Sequence, residues 1–214
     1  LLADQSRRQR LAAARLYLIT SPVPDLLAVV DQALSAGVSL LQHRSKLTDD
    51  LPRYQEAVAL RDLCAAHGAL FIVNDRVDLA LAVEADGVHL GQGDLPPAQA
   101  RRLLGPDRLI GRSTHAPAQL QQAMADGCDY AGVGPLQATP TKPGREPVGL
   151  DYLRQAAQIA TIPHYAIGGV DVQLLPALLE AGGPHCRVAV VRAVMEAADP
   201  AAAARQLLEL LADG

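Results

Sequence analysis

Tryptophan is absent from the 214 residues, phenylalanine occurs once and tyrosine five times. Half the chain is nonetheless hydrophobic, so its core has to be built mainly from Ala, Leu, Val and Ile. Cysteine is scarce too. Cys64, Cys128 and Cys186 are an odd number at wide spacing, which fits neither a disulfide framework nor a zinc pattern and favours a reducing cytosol. No apolar run reaches the ~18 residues of a membrane span, and no secretory leader is visible. Nor is there an excess of positive charge: 19 Lys and Arg stand against 23 Asp and Glu, a formal net charge of -4. That balance argues against nucleic acid or an anionic membrane as partner. Walker A, HExxH and GxSxG signatures are missing, and Gly132-Val133-Gly134 is too short for a full GxGxxG.

What is present is an alternation. After residues 1–15, a short helical or frayed arm, Leu16–Thr20 (LYLIT) reads as a strand and Pro24–Ala36 as a helix ended by Gly37. Val38–Arg44 is a second strand before a helix over Thr48–His67. Leu70–Asp75 is a third, followed by RVDLALAVEA, and Gly87–Gly91 a fourth, followed by PPAQARRLL. Leu109–His115 makes a fifth, followed by APAQLQQAMADG, and Tyr130–Pro135 a sixth with a helix from about Leu150 to Ala160. His164–Val170 makes a seventh, followed by VQLLPALLEAG, and Arg187–Val194 an eighth before a closing helix over Ala201–Leu211. Mostly continuous apolar strands suit a parallel sheet buried on both faces. Eight strand–helix units predict an α/β protein, a single (β/α)8 TIM barrel over 16–214 with the N-terminal arm before it. An open doubly wound sheet is the alternative, usually with fewer strands.

In such a barrel catalytic groups sit at the carboxyl ends of the strands, and the polar residues of this chain fall there. Strand two ends in Gln42-His43-Arg44-Ser45-Lys46, where a period of two puts Gln42, Arg44 and Lys46 on one side. Two cations and an amide together call for an anion; rim pairing with Asp49 and Asp50 is the plainer reading. Strand three ends in Asn74-Asp75, and Asp94 follows strand four. Two carboxylates without a His or Cys pattern suit a hard cation such as Mg2+, although either could simply cap the next helix. Strand five ends in Ser113-Thr114-His115 and strand seven in Gly168-Gly169, and Val191-Arg192 lies on strand eight, where this fold often binds phosphate. His43, His67, His89, His164 and His185 have no ligand spacing and read as core or surface histidines.

The sixth strand opens into QATPTKPGREPVG. Thr139 and Thr141 bracket Pro140, with Lys142 and Arg145 behind. Hydroxyl donors and an ammonium on a Pro/Gly-shaped backbone suit a loop that closes over phosphoryl oxygens. A solvated connection is the alternative.

From Leu16 onward the chain resembles the thiamine phosphate synthase family. The matching segments are LYLIT, the Q-x-R-x-K of Gln42, Arg44 and Lys46, FIVNDRVDLALAVEADGVHLGQGDLP, IGRSTH, DYAGVGPLQATPTKPGREPVGL, AIGG and VAVVRAVM. Family members join a hydroxymethylpyrimidine diphosphate to a thiazole ethyl phosphate, giving thiamine monophosphate and diphosphate. The resemblance implies that Gln42, His43, Arg44, Ser45 and Lys46, with Asn74, Ser113 and Lys142, bind the pyrimidine diphosphate. Arg44, Lys46 and Lys142 then neutralise the leaving group. It implies Mg2+ on Asp75 and Asp94, and thiazole phosphate on the Thr139-Pro140-Thr141 run, Gly169, Val191 and Arg192. The chain departs from the family pattern at Arg192, where many relatives have Ser, and at Ser45, where Glu is frequent. His43 stands at an uncommon position, and the stretch before strand eight is about two residues longer than usual. The implied partners are small phosphorylated molecules, with a homo-oligomer left open. A thiazole tautomerase using His115 as acid–base catalyst and a non-catalytic phosphate-ligand sensor are the competing functions. The retained Q-x-R-x-K and Thr-Pro-Thr-Lys residues favour the synthase.

Overall fold

Eight parallel strands, paired in chain order and closed by β1 against β8, form the barrel of the computed structural model, which describes residues 6–138 and 146–213. The strands are β1 (Leu16–Ile19), β2 (Leu40–His43), β3 (Leu70–Asn74), β4 (Gly87–Leu90), β5 (Leu109–Thr114), β6 (Tyr130–Val133), β7 (His164–Ile167) and β8 (Arg187–Val190). Around and below them lie α1 (Arg7–Ala13), α2 (Leu26–Ser35), α3 (Asp50–Ala66), α4 (Val77–Ala82), α5 (Pro97–Leu104), α6 (Pro117–Ala125), α7 (Gly149–Ile159), α8 (Leu175–Gly182), α9 (Arg192–Met195) and α10 (Pro200–Asp213). The eighth strand differs from the sequence expectation. It stops at Val190, and Arg192–Met195 turns into the short helix α9. The arm contributes an ordered helix, begun by a capping box in which Ser6 and Gln9 exchange hydrogen bonds. Among the described residues no helix is long and apolar enough to cross a membrane.

Strand alternation divides the apolar residues into two layers. Leu16, Leu18, Leu41, Phe71 and Val73 face the helices, whereas Tyr17, Leu40, Leu70, Ile72, Leu109, Tyr130 and Tyr165 fill the barrel. Three of the chain's few aromatic rings thus meet inside it, edge to face, with centroids 5.2–5.8 Å apart. The tyrosine stack requires Gly111: a Cβ there would sit 2.1 Å from Cζ of Tyr130.

The amino ends of the strands are covered by α1. Leu11 and Ala14 join the interior cluster, and Tyr165 donates its hydroxyl proton to the Ala14 carbonyl at 2.9 Å. Arginines tie the helix to the neighbouring turns: Arg7 to Asp86 and Arg8 to Asp129, each at 2.7 Å, and Arg10 to the Gly68 carbonyl at 2.9 Å. Among the described residues, this leaves the mouth at the opposite end of the barrel.

Candidate active site

At the carboxyl ends of the strands lies a cavity of about 400 Å³. Gln42, Asn74 and Ser113 on β2, β3 and β5, Arg44 just past β2, Gly169 and Val191 after β7 and β8, and Arg192 at the start of α9 all line it. Residues up to 150 positions apart in sequence therefore meet, because each ends a strand or follows it directly.

Several expected residues stand elsewhere. His43 occupies the outer face of β2, between Gln42 and Arg44 that face inward. Its Nε2 is 2.8 Å from a Glu56 carboxylate oxygen, its ring stacks on Phe71, and its side chain is 1% exposed. Strand alternation thus removes the His43 side chain from the cavity. Lys46 is exposed and does not line it either. The period of two holds only while the strand lasts, and β2 ends at His43. Ser45 accepts the Leu47 N–H at 3.2 Å in the turn that follows. Of the acids read as plain rim partners, Asp50 pairs with Arg53 and Arg76. Thr139, Pro140, Thr141 and Lys142 lie outside the described residues.

The carboxylates sit at the same rim but outside the cavity lining. Asp75 has a left-handed backbone, φ 64°, and accepts a 2.7 Å hydrogen bond from the Asn74 amide. Asp94 accepts from the Gly91 N–H at 2.6 Å. Neither caps the next helix; the N-cap residues of α4 and α5 are Arg76 and Pro96, without a side-chain cap bond. Among the described residues no three His, Cys, Asp or Glu side chains gather as a metal cluster. Two carboxylates at adjacent strand ends remain, a donor set that suits Mg2+ completing its shell with water and phosphate oxygens.

The cavity floor holds a histidine that the sequence reading set aside as a core or surface residue. His89 lines it, and its Nε2 lies 3.0 Å from Ser113 Oγ while its Nδ1 is 3.3 Å from the Tyr130 hydroxyl. Tyr130 is in turn 2.8 Å from the Tyr17 hydroxyl, which accepts from the Gln42 amide at 2.6 Å. A buried chain of hydrogen bonds thus links Gln42 to Ser113. Burial pushes both phenols above the ordinary tyrosine value, so they stay neutral and able to donate. The signal for His89 was positional. It is the penultimate residue of β4, as Gln42 is of β2 and Ser113 of β5.

At the far side, the stem of the 136–148 connection is pinned across β6 and β7. Leu136 N–H donates to the Ile167 carbonyl at 2.8 Å, Gln137 N–H to Gly168 at 3.3 Å, and Val148 N–H to Pro135 at 2.8 Å. Gly168 and Gly169 have φ of 106° and 74°, and a Cβ on either would meet this stem at 2.7 Å. Close chain approach is therefore one reason for the glycine pair. His115 also lines the cavity, with its Nδ1 against the Gly134 carbonyl.

A family model described as thiamine monophosphate synthase matches residues 16–194. The thiamine-phosphate synthase of Gloeobacter violaceus is 57% identical over 207 residues, covering 97% of this chain and 60% of that protein. That of Synechocystis sp. is 54% identical over 203 residues, covering 95% of this chain and 59% of that protein. The chain thus spans about 60% of the length of these curated relatives. Thiamine phosphate pyrophosphorylase from Pyrococcus furiosus superposes with a TM-score of 0.86 at 34% identity, covering 96% of this chain and 98% of that one. A 3-hexulose-6-phosphate synthase from Salmonella typhimurium, at 17% identity and a TM-score of 0.70, shares the fold.

Proposed function

This chain belongs to the thiamine monophosphate synthase family, and from that premise we propose that it is a thiamine phosphate synthase. It joins 4-amino-2-methyl-5-(diphosphooxymethyl)pyrimidine to 4-methyl-5-(2-phosphooxyethyl)thiazole, releasing diphosphate and thiamine monophosphate. The observation that supports this most directly is the meeting of Gln42, Arg44, Asn74 and Ser113 with Gly169, Val191 and Arg192 in one cavity.

Gln42 and Ser113 offer an amide and a hydroxyl to the heteroatoms of the pyrimidine, both oriented from below by the Tyr17–Tyr130–His89 chain. The guanidinium of Arg44, with Lys46 from the rim and with Lys142, neutralises the diphosphate as it departs. Asp75 and Asp94 would hold Mg2+, which supplies further neutralisation of the leaving group. Charge balance matters because the bond between the pyrimidine methylene carbon and the diphosphate oxygen breaks before its replacement forms. The aminopyrimidine delocalises the resulting positive charge, and the thiazole nitrogen captures the carbon from a held geometry. That nitrogen carries no proton, so no general base is needed. Thr139, Thr141, Gly169, Val191 and Arg192 anchor the thiazole phosphate, and keeping water out of the cavity prevents it from trapping the carbon as an alcohol. The reaction suits a reducing cytosol, in which the three buried free cysteines are stable as thiols.

The test is incubation with both phosphorylated precursors, with and without Mg2+, followed by phosphorus NMR. Equal formation of thiamine monophosphate and diphosphate, dependent on Mg2+, is expected. Failure to form the carbon–nitrogen bond under either condition would remove the assignment.

A further inference from the structure

Arg44 lies one residue beyond β2, where the backbone ladder runs out. β1 and β2 pair with Ile19 opposite Gln42, and the last main-chain rung is the Thr20 N–H donated to the Gln42 carbonyl at 2.9 Å. In a parallel ladder the next two rungs would join the Arg44 N–H to the Thr20 carbonyl and then the N–H of residue 22 to the Arg44 carbonyl. Residue 22 is Pro22, which has no N–H. The Thr20 side chain stands in for the missing strand. Its hydroxyl oxygen accepts the Arg44 N–H at 2.9 Å and lies 3.4 Å from the Arg44 carbonyl oxygen, toward which it donates. Thr20 is 1% exposed, so water has little access to replace it. Thr20 does not itself line the cavity, whereas Arg44 does.

An arginine side chain carries about 2 kcal/mol of rotamer entropy, and it reaches one place reproducibly only if its own backbone is fixed. A hydroxyl that engages both main-chain polar groups of Arg44 provides that fixing. We propose that Thr20 is a positioning residue, aiming the Arg44 guanidinium at the diphosphate anion without touching it. The inference rests on the reading of Arg44 given above.

A thermodynamic cycle separates the two ideas. Thr20→Val, Thr20→Ser, Arg44→Ala and the Thr20→Val/Arg44→Ala double variant are compared by calorimetric binding of inorganic diphosphate with Mg2+, and by kcat and KM for both substrates. Thr20→Val should weaken diphosphate binding and lower kcat about tenfold, the size of one hydrogen bond to a charged-site backbone. KM for the thiazole phosphate should stay within roughly twofold, as expected of a term confined to the other substrate. Thr20→Ser, which keeps the hydroxyl, should restore both. In the Arg44→Ala background Thr20→Val should add nothing. The same further loss with Arg44 absent would overturn the proposal, and so would normal diphosphate binding in Thr20→Val. Unchanged diphosphate binding in Arg44→Ala would instead remove the functional reading of Arg44, and this inference with it. If Thr20→Val does not fold, Thr20→Ala enters the same cycle; unfolding of both by circular dichroism would show a stability role and overturn positioning.

Discussion

The hydroxyl oxygens of Tyr17 and Tyr130 lie 2.8 Å apart inside the barrel, and the direction of that bond is set by its neighbours. The Gln42 amide nitrogen can only donate, so Tyr17 accepts from it. Both phenolic protons find partners within the chain only if Tyr17 then donates to Tyr130 and Tyr130 to His89 Nδ1. His89 is thereby left with its proton on Nε2, facing Ser113 Oγ. A one-way chain of donors beneath the cavity fixes the tautomer of a histidine that lines it.

Tyr130→Phe breaks this chain at its middle. The Tyr17 proton loses its acceptor in a fully buried place, which should cost about 1–3 kcal/mol. Chemical denaturation reads the loss. A variant as stable as the parent would show that the two phenols are not coupled.

Gly111→Ala tests the same stack from the side. Its methyl group would fall 2.1 Å from Tyr130 Cζ and 2.5 Å from Cε2, both parts of a ring that has no room to retreat. Overpacking of this kind costs about 1–3 kcal/mol, and Phe in place of Tyr130 should not relieve it. Gly93→Ala, where an added Cβ meets nothing within 4 Å, is the control and should stay within about 0.5 kcal/mol.

At Asp75, stability and function should separate. A non-glycine residue at φ 64° carries left-handed strain of about 1–2 kcal/mol, which glycine lacks. Asp75→Gly should therefore keep or raise the melting temperature while losing Mg2+-dependent turnover. A fall in both together would indicate that the carboxylate serves the fold.

His115→Ala should leave carbon–nitrogen coupling largely intact, because the attacking thiazole nitrogen has no proton to remove. Complete loss of coupling in steady-state assays would revive an acid–base role for the imidazole beside Gly134.

Acid should weaken the protein through two buried histidines. Burial holds His43 below its ordinary value of 6.5, against the pull of Glu56 and with slight help from Arg53, and burial likewise lowers His164. The unfolded chain then takes up protons before the folded one. Their contribution to stability is complete above about pH 6.5 and is lost as pH falls through that value toward the folded pKa values. His43→Gln should flatten the decline of melting temperature below pH 6.5; an unchanged slope would assign it to other groups.

How far the sequence carried this protein is clearest at particular strands. Apolar runs punctuated by Gly and Pro were enough to place all eight strands and the helices between them, since those patterns encode local periodicity and chain breaks. Polar residues crowding the ends of those runs marked Gln42, Arg44, Asn74 and Ser113, because a strand end in a closed barrel has only the mouth to face. The sequence could not say that Arg192 opens a short helix, since Arg187–Val194 is apolar enough for a longer strand. Alternation against Gln42 and Arg44 set His43 on the opposite side of β2, but with no such anchor on β4 the sequence could not tell that His89 faces the cavity. Both faces of a parallel barrel are buried, so alternation gives each side chain's relation to its neighbours but not which side is inside. Closure of β1 on β8 decides that, and with it which histidine reaches the site.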